Sequence, residues 1–132
     1  MFWAPMEPAL TVAVVDDELP IRKALTRLLR SASYQVLSYG SGSEFLASLE
    51  NSKPACLVLD IRMQGMTGFD VQAWLQAQRI ALPIVFITAL DDPQDIARAK
   101  QSGAIALLRK PFGDNEFLAA VEAAAHPDGA GR

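Results

Sequence analysis

Residues 12–25, VAVVDDELPIRKAL, run from an apolar, β-branched segment straight into two adjacent carboxylates, Asp16 and Asp17, with a third acid at Glu18. A proline and a helical pattern follow. Ile21, Ala24, Leu25, Leu28, Leu29 and Ala32 recur at i, i+3, i+4 and i+7, the spacing of a helix with one buried face. Pro20 suits the first turn of that helix, where its missing N–H costs nothing. Acids side by side at a strand end repel one another unless a positive group sits among them.

Working outward, the strand-then-helix unit recurs. Apolar runs at Thr11–Asp16, Gln35–Tyr39, Ala55–Asp60, Pro83–Thr88 and Ala104–Arg109 read as five strands. Helical spacing follows each of them. Phe45, Leu46 and Leu49 mark the second helix, Val71, Trp74 and Leu75 the third, and Ile96 and Ala99 the fourth. Phe117, Leu118, Val121 and Ala125 mark the fifth, with Asp114 as its expected N-cap. Gly103 is expected to end the fourth helix in the left-handed conformation. The fourth helix carries acids first and bases last, which suits its dipole and reads as a solvated face. Phe45, Phe69, Trp74 and Phe112 read as core.

Strict alternation with short connections predicts a parallel sheet covered by helices on both faces. The first, third and fourth runs are nearly continuous in apolar residues, as doubly covered strands should be. QVLSY, residues 35–39, is more polar and suits an edge. Ligands of such sheets sit beyond the carboxyl ends of the strands, near the switch point of the topology.

Composition narrows the class. The chain has 132 residues, 51% apolar and 20% charged, with a net charge of −3. That describes one ordinary soluble globular domain. It gives no support to direct nucleic-acid binding or to attachment at a membrane surface. The single cysteine, Cys56, cannot form an internal disulfide and reads as a small hydrophobe. MFWAPMEPAL lacks a signal-peptide pattern, so a cytoplasmic location is expected. Residues 1–10 are expected to be a flexible N-terminus, 11–125 the domain, and 126–132 a disordered tail or the start of a linker. His126 lies in that tail and is given no role.

The strand ends share one edge, and what they carry is chemically coherent. The first delivers Asp16 and Asp17, the third Asp60, the fourth Thr88, and the fifth Lys110 followed by Pro111. Three carboxylates call for a hard cation, and oxygen-only ligands favour Mg²⁺. An aspartate can attack phosphorus to give an aspartyl phosphate. Phosphoryl transfer asks a protein chiefly for positioning and charge neutralisation. Mg²⁺, Lys110 and the Thr88 hydroxyl would then serve the phosphoryl oxygens, with Asp60 as acceptor on a central strand. Each residue alone has an ordinary reading as a cap, a turn former or a strand end. Four strand ends satisfying one chemistry is a far stronger signal.

Those residues, with Lys110-Pro111-Phe112, resemble the signature of bacterial response-regulator receiver domains over about residues 11–125. CLVLDIRMQGMTG, LPIVFIT and SGAIALLRKPF resemble the FixJ-like branch in particular. The resemblance implies a flavodoxin-like (βα)5 doubly wound fold with a five-stranded parallel sheet of order 2-1-3-4-5, an order for which a receiver protein is a standing example. It implies Asp60 as phosphoacceptor and also as a metal-site residue, Asp17 as a direct Mg²⁺ ligand, Asp16 as a ligand through water, and the main-chain carbonyl of Arg62 as a further ligand. Thr88 and Lys110 would contact the phosphoryl group. The Lys110–Pro111 peptide would be cis, and Pro111, Leu107 and Ala89 would be switch and structural positions. The implied donor is a sensor histidine kinase or phosphotransfer protein. The implied output surface is the fourth helix, fifth strand and fifth helix, through which a phosphorylation-dependent homodimer can form. The implied output is transcription regulation through a further domain, with a stand-alone receiver acting by protein contacts as the alternative.

Three departures stand out. Leu107 occupies the place of the Tyr or Phe that swings inward in many receivers. Gln64 replaces the proline of the usual MPGM, which predicts a looser loop after Asp60. Arg62, bulky and charged, is expected to overhang the site and alter the lifetime of the phosphoryl group. A Mg²⁺-dependent phosphatase of the haloacid-dehalogenase type needs a similar inventory. It would place its nucleophile early, in Asp-x-Asp, and a second carboxylate two residues after it, where this chain has Arg62. No G-x-G-x-x-G or Walker pattern follows the first strand, so a nucleotide-binding module is set aside.

Overall fold

The computed structural model describes residues 9–127, with the exception of Leu90. Its order is β1 (Thr11–Val15), α1 (Leu19–Ser31), β2 (Gln35–Tyr39), α2 (Gly42–Ser48), β3 (Cys56–Asp60), α3 (Gly68–Ala77), β4 (Ile84–Thr88), α4 (Pro93–Gln101), β5 (Ala106–Arg109) and α5 (Asp114–Ala125). All four strand pairings are parallel, in the order β2-β1-β3-β4-β5. This is the flavodoxin-like doubly wound sheet. The strands run up to two residues shorter than their apolar runs, trimmed at the end in β1 and at the start in β3, β4 and β5. Residues 1–8 of the expected N-terminal segment and 128–132 of the expected tail lie outside the described residues.

β-branched and apolar residues at period two feed both faces of the sheet. Val12, Val14, Val58, Val85 and Ile87 pack with Leu25 and Leu29 of α1 and Phe117 and Val121 of α5. Ala13, Val15, Leu57, Leu59 and Phe86 pack with Phe45 of α2, Phe69, Val71 and Leu75 of α3, and Ala99 of α4. β3 and β4 are buried along their whole length, whereas β2 alternates toward solvent at the edge. Cys56 is fully buried, and burial pushes its thiol up to about 12, so it is an inert packing residue.

Local signals set the helix ends. Pro20 lies in the first turn of α1. Ser41 caps α2 by accepting from the Glu44 N–H, and Thr67 with Asp70 forms a complete capping box on α3. Gly103, at φ +89, follows the end of α4 as expected. Two expectations fail. Gly113, in extended conformation, is the N-cap of α5, so Asp114 is instead its first helical residue, where its charge still favours the dipole. Trp74 is exposed, not core. The buried stripe of α3 runs through Phe69, Val71, Gln72 and Leu75, and Trp74 stands about 120° round the helix from its centre.

β1 is where the order reverses, with β2 on one side and β3 on the other. Val15 pairs with Leu59, so the residues that leave these strands, Asp16 and Asp60, stand side by side at the switch point.

Candidate functional site

The acids that open this edge are arranged around one ammonium. Asp16 is completely buried; one of its carboxylate oxygens accepts from the Glu18 N–H at 2.9 Å and the other from Lys110 Nζ at 2.8 Å. Lys110 Nζ also lies 3.6 Å from Glu18 and 3.8 Å from Asp60. Burial opposes the lysine's charge, yet its hydrogen bond to Asp16 and the charges of Asp60, Asp16 and Glu18 hold it above its ordinary value. Asp60, 4% exposed, is shifted the other way for a carboxyl. Burial and the neighbouring charge of Asp16 push it up to about 7, against the pull of Lys110 and of the Arg62 main-chain N–H. Lys110 is thus the positive group the paired acids require, and it does not neutralise them all.

Asp16, Asp17 and Glu18 place one carboxylate oxygen each within 4.8 Å of one another. Such an all-oxygen, multiply negative cluster fits a hard divalent cation. Asp16 is already committed through both oxygens, which suits contact with a metal through water. Asp17 is exposed and available for direct ligation. Glu18, which the sequence suggested only as a third acid or a cap, joins this cluster. It occupies the N-cap position of α1 without making a side-chain capping bond.

The remaining predicted residues lie on β4, β5 and the segments that leave them. Thr88 ends β4, is 1% exposed, and accepts the Lys110 N–H on its carbonyl at 2.7 Å. The Lys110–Pro111 peptide is cis. Ala89 follows Thr88 and is exposed. Leu107 lies on β5, half-buried against the cluster that holds Phe86. Gly68 allows α3 to start directly above β3, for its N–H donates to the Ile61 carbonyl at 2.8 Å, and a Cβ there would lie 2.5 Å from the Asp60 carbonyl oxygen.

Two departures read differently in three dimensions. The Gln64 N–H donates to Asp17 at 3.2 Å, tying the loop after β3 to the acid pair. Proline has no such donor, so the replacement adds a restraint instead of only removing one. The Arg62 side chain is drawn toward α4. Its Nε and one terminal nitrogen donate to the two oxygens of Asp95 on α4, at 2.8 and 2.6 Å. Asp95 is 5% exposed, so this acid of α4 departs from the solvated face expected from the charge pattern, while Pro93, Gln94, Arg98 and Lys100 keep to it. The charge pattern of α4 matched its dipole, and nothing local to α4 marks a partner 33 residues earlier in the chain.

A family model described as the response regulator receiver domain matches residues 12–122. Nodulation protein W of Bradyrhizobium diazoefficiens is 43% identical over 117 residues, covering 89% of this chain and 52% of that protein. The transcriptional regulatory protein TdiR of Thauera aromatica is 41% identical, covering 88% of this chain and 51% of that protein. The chain therefore spans about half the length of these curated relatives. Among solved structures, that of FixJ-N is similar with a TM-score of 0.83 and 33% identity, covering 92% of this chain and 96% of that one. The response regulator StyR is similar with a TM-score of 0.77 and 43% identity, covering 89% and 59% respectively.

Proposed function

This chain belongs to the response-regulator receiver family of two-component systems, and on that premise we propose that it is a phosphoacceptor switch whose reacting group is Asp60. The observation that carries the reading is the placement of Lys110 Nζ between two buried carboxylates, 2.8 Å from Asp16 and 3.8 Å from Asp60. Asp60, ionised, attacks the phosphorus of a phosphohistidine on a sensor kinase or phosphotransfer protein. A P–O bond forms, the P–N bond breaks with its electron pair going to nitrogen, and the imidazole, already protonated on its other ring nitrogen, leaves neutral. Lys110 neutralises one phosphoryl oxygen, and the Thr88 hydroxyl donates to another. Asp17 and the Arg62 carbonyl would hold Mg²⁺ directly and Asp16 through water. The ion supplies neutralisation of the charge that gathers among the acids.

The product adds about −1.5 to −2 charge locally. Converting that into a switch from mostly inactive to mostly active takes roughly 5 kcal/mol of differential stabilisation. Part of it would come from pairing through α4, β5 and α5. We read residues 11–125 as the receiver, working in the cytoplasm and controlling transcription through a further domain. No helix among the described residues is long and apolar enough to cross a membrane. The phosphatase reading is disfavoured because position 62 carries a guanidinium bound to Asp95, and no carboxylate stands there to serve as general acid.

Incubation with acetyl phosphate and Mg²⁺ tests this directly. The expected result is one phosphoryl group per chain, retained long enough to isolate and abolished by Asp60→Asn or by chelation of the metal. Rapid multiple turnover of phosphomonoesters would instead establish the phosphatase.

A further inference from the structure

Asp95 has an environment its position in α4 does not require. The N-cap of α4 is Asp92, whose side chain already accepts the Gln94 N–H. Asp95 is left with no capping duty, yet it is withdrawn from solvent and gives both oxygens to Arg62. The two partners are unequal, for the Arg62 side chain is 48% exposed and that of Asp95 only 7%. A half-exposed arginine finds water readily, and a buried carboxylate does not. A two-point fork also fixes the plane of the guanidinium, which a single bond leaves free.

What that fork restrains matters because of where Arg62 starts. It stands two residues after Asp60, in the same turn that leaves β3. The turn Asp60–Ile61–Arg62 is held from one side by Gly68 on the Ile61 carbonyl and from the other by the Arg62 side chain on α4. α4 is itself fastened to α3. The Arg98 guanidinium lies 4.2 Å over the Phe69 ring, and the Gln72 amide donates to the Ser102 carbonyl at 3.3 Å. Asp95 therefore offers Arg62 a fixed anchor. We propose that Asp95 is a positioning residue for the phosphoacceptor: by gripping Arg62 it fixes the turn Asp60–Ile61–Arg62 and so holds the reacting carboxylate in place.

The proposal rests on the reading of Asp60 as acceptor. The test compares the 132-residue chain with Asp95→Ala, Arg62→Ala and the double variant, phosphorylated by acetyl phosphate in Mg²⁺. Asp95→Ala should lower the rate at saturating acetyl phosphate about tenfold and leave the half-saturating concentration unchanged, since misorientation of a reacting group acts on the chemical step. Its Arg62 amide resonance should move in the ¹⁵N–¹H spectrum, a change that mere loss of stability does not produce. The double variant should be no slower than the slower single one, as two residues acting as one unit require. Arg62→Lys keeps the charge and loses the fork, so it should also be slowed, and it decides the matter should Asp95→Ala fail to fold. A wild-type rate in the folded variant, or losses that multiply in the double variant, would overturn the proposal while leaving Asp60 as acceptor. Failure of the unmutated chain to accept a phosphoryl group at all would remove the reading beneath it.

Discussion

Asp60 carries a carboxyl in a place that disfavours its charge, and this has a measurable consequence in the absence of metal. Its folded value, about 7, lies above the ordinary 3.8 because of burial and the charge of Asp16. The folded state therefore binds the proton more tightly than the unfolded chain. The stability this contributes is complete below the ordinary value and is lost as pH rises through about 7. In chelator, the protein should thus be more stable at pH 5 than at pH 8 with respect to this group. Asp60→Asn should raise the unfolding free energy at pH 8 by on the order of 2–4 kcal/mol and change it little at pH 5. Urea unfolding at the two pH values measures both, and Mg²⁺ should shrink the difference at pH 8. An Asn variant less stable than the unmutated chain at pH 8 would mean the carboxylate is satisfied without metal. The acids and the lysine were legible in the sequence because each closes an apolar run. Glu18's share in the cluster was half legible, as a third acid in a row. The Arg62–Asp95 fork was not, because it depends on how close the loop after β3 comes to the first turn of α4.

At the scale of elements, the strand–helix junctions do the positioning, and small residues permit it. Gly68 is the sharpest case, since a Cβ would stand 2.5 Å from the Asp60 carbonyl oxygen and 3.0 Å from the Ile61 Cα, both main-chain atoms. Gly68→Ala should push the start of α3 away from β3, cost about 1–3 kcal/mol in urea unfolding, and slow phosphorylation of Asp60. Unchanged stability would show that α3 can slide without disturbing the loop. The glycine could be read from the sequence, but the close approach that demands it could not. Helix starts were legible where a side chain caps, as at Ser41 and Thr67. At α5 the sequence suggested Asp114, while an uncharged glycine in extended conformation takes that place. Trp74 shows the limit of spacing: it fits an apolar pattern, yet only the arc that faces the sheet is buried.

For the whole molecule, the parallel sheet, both core layers and the common edge that gathers the strand ends follow from five apolar runs alternating with five helical ones. That pattern is dense and periodic, which is why it could be read before any coordinates. Strand order within the alternation is set by packing over long range, and family resemblance supplied it. The proposed function then asks that residues distant in sequence, at 16, 17, 60, 88 and 110, act on a single phosphoryl group. The most direct measurement is to phosphorylate the chain, reduce the acyl phosphate with borohydride and map the modified peptide by mass spectrometry. The account predicts modification at Asp60 alone, absent from Asp60→Asn. A modification on Asp16, Asp17 or any other residue, or one that survives Asp60→Asn at full yield, would contradict it.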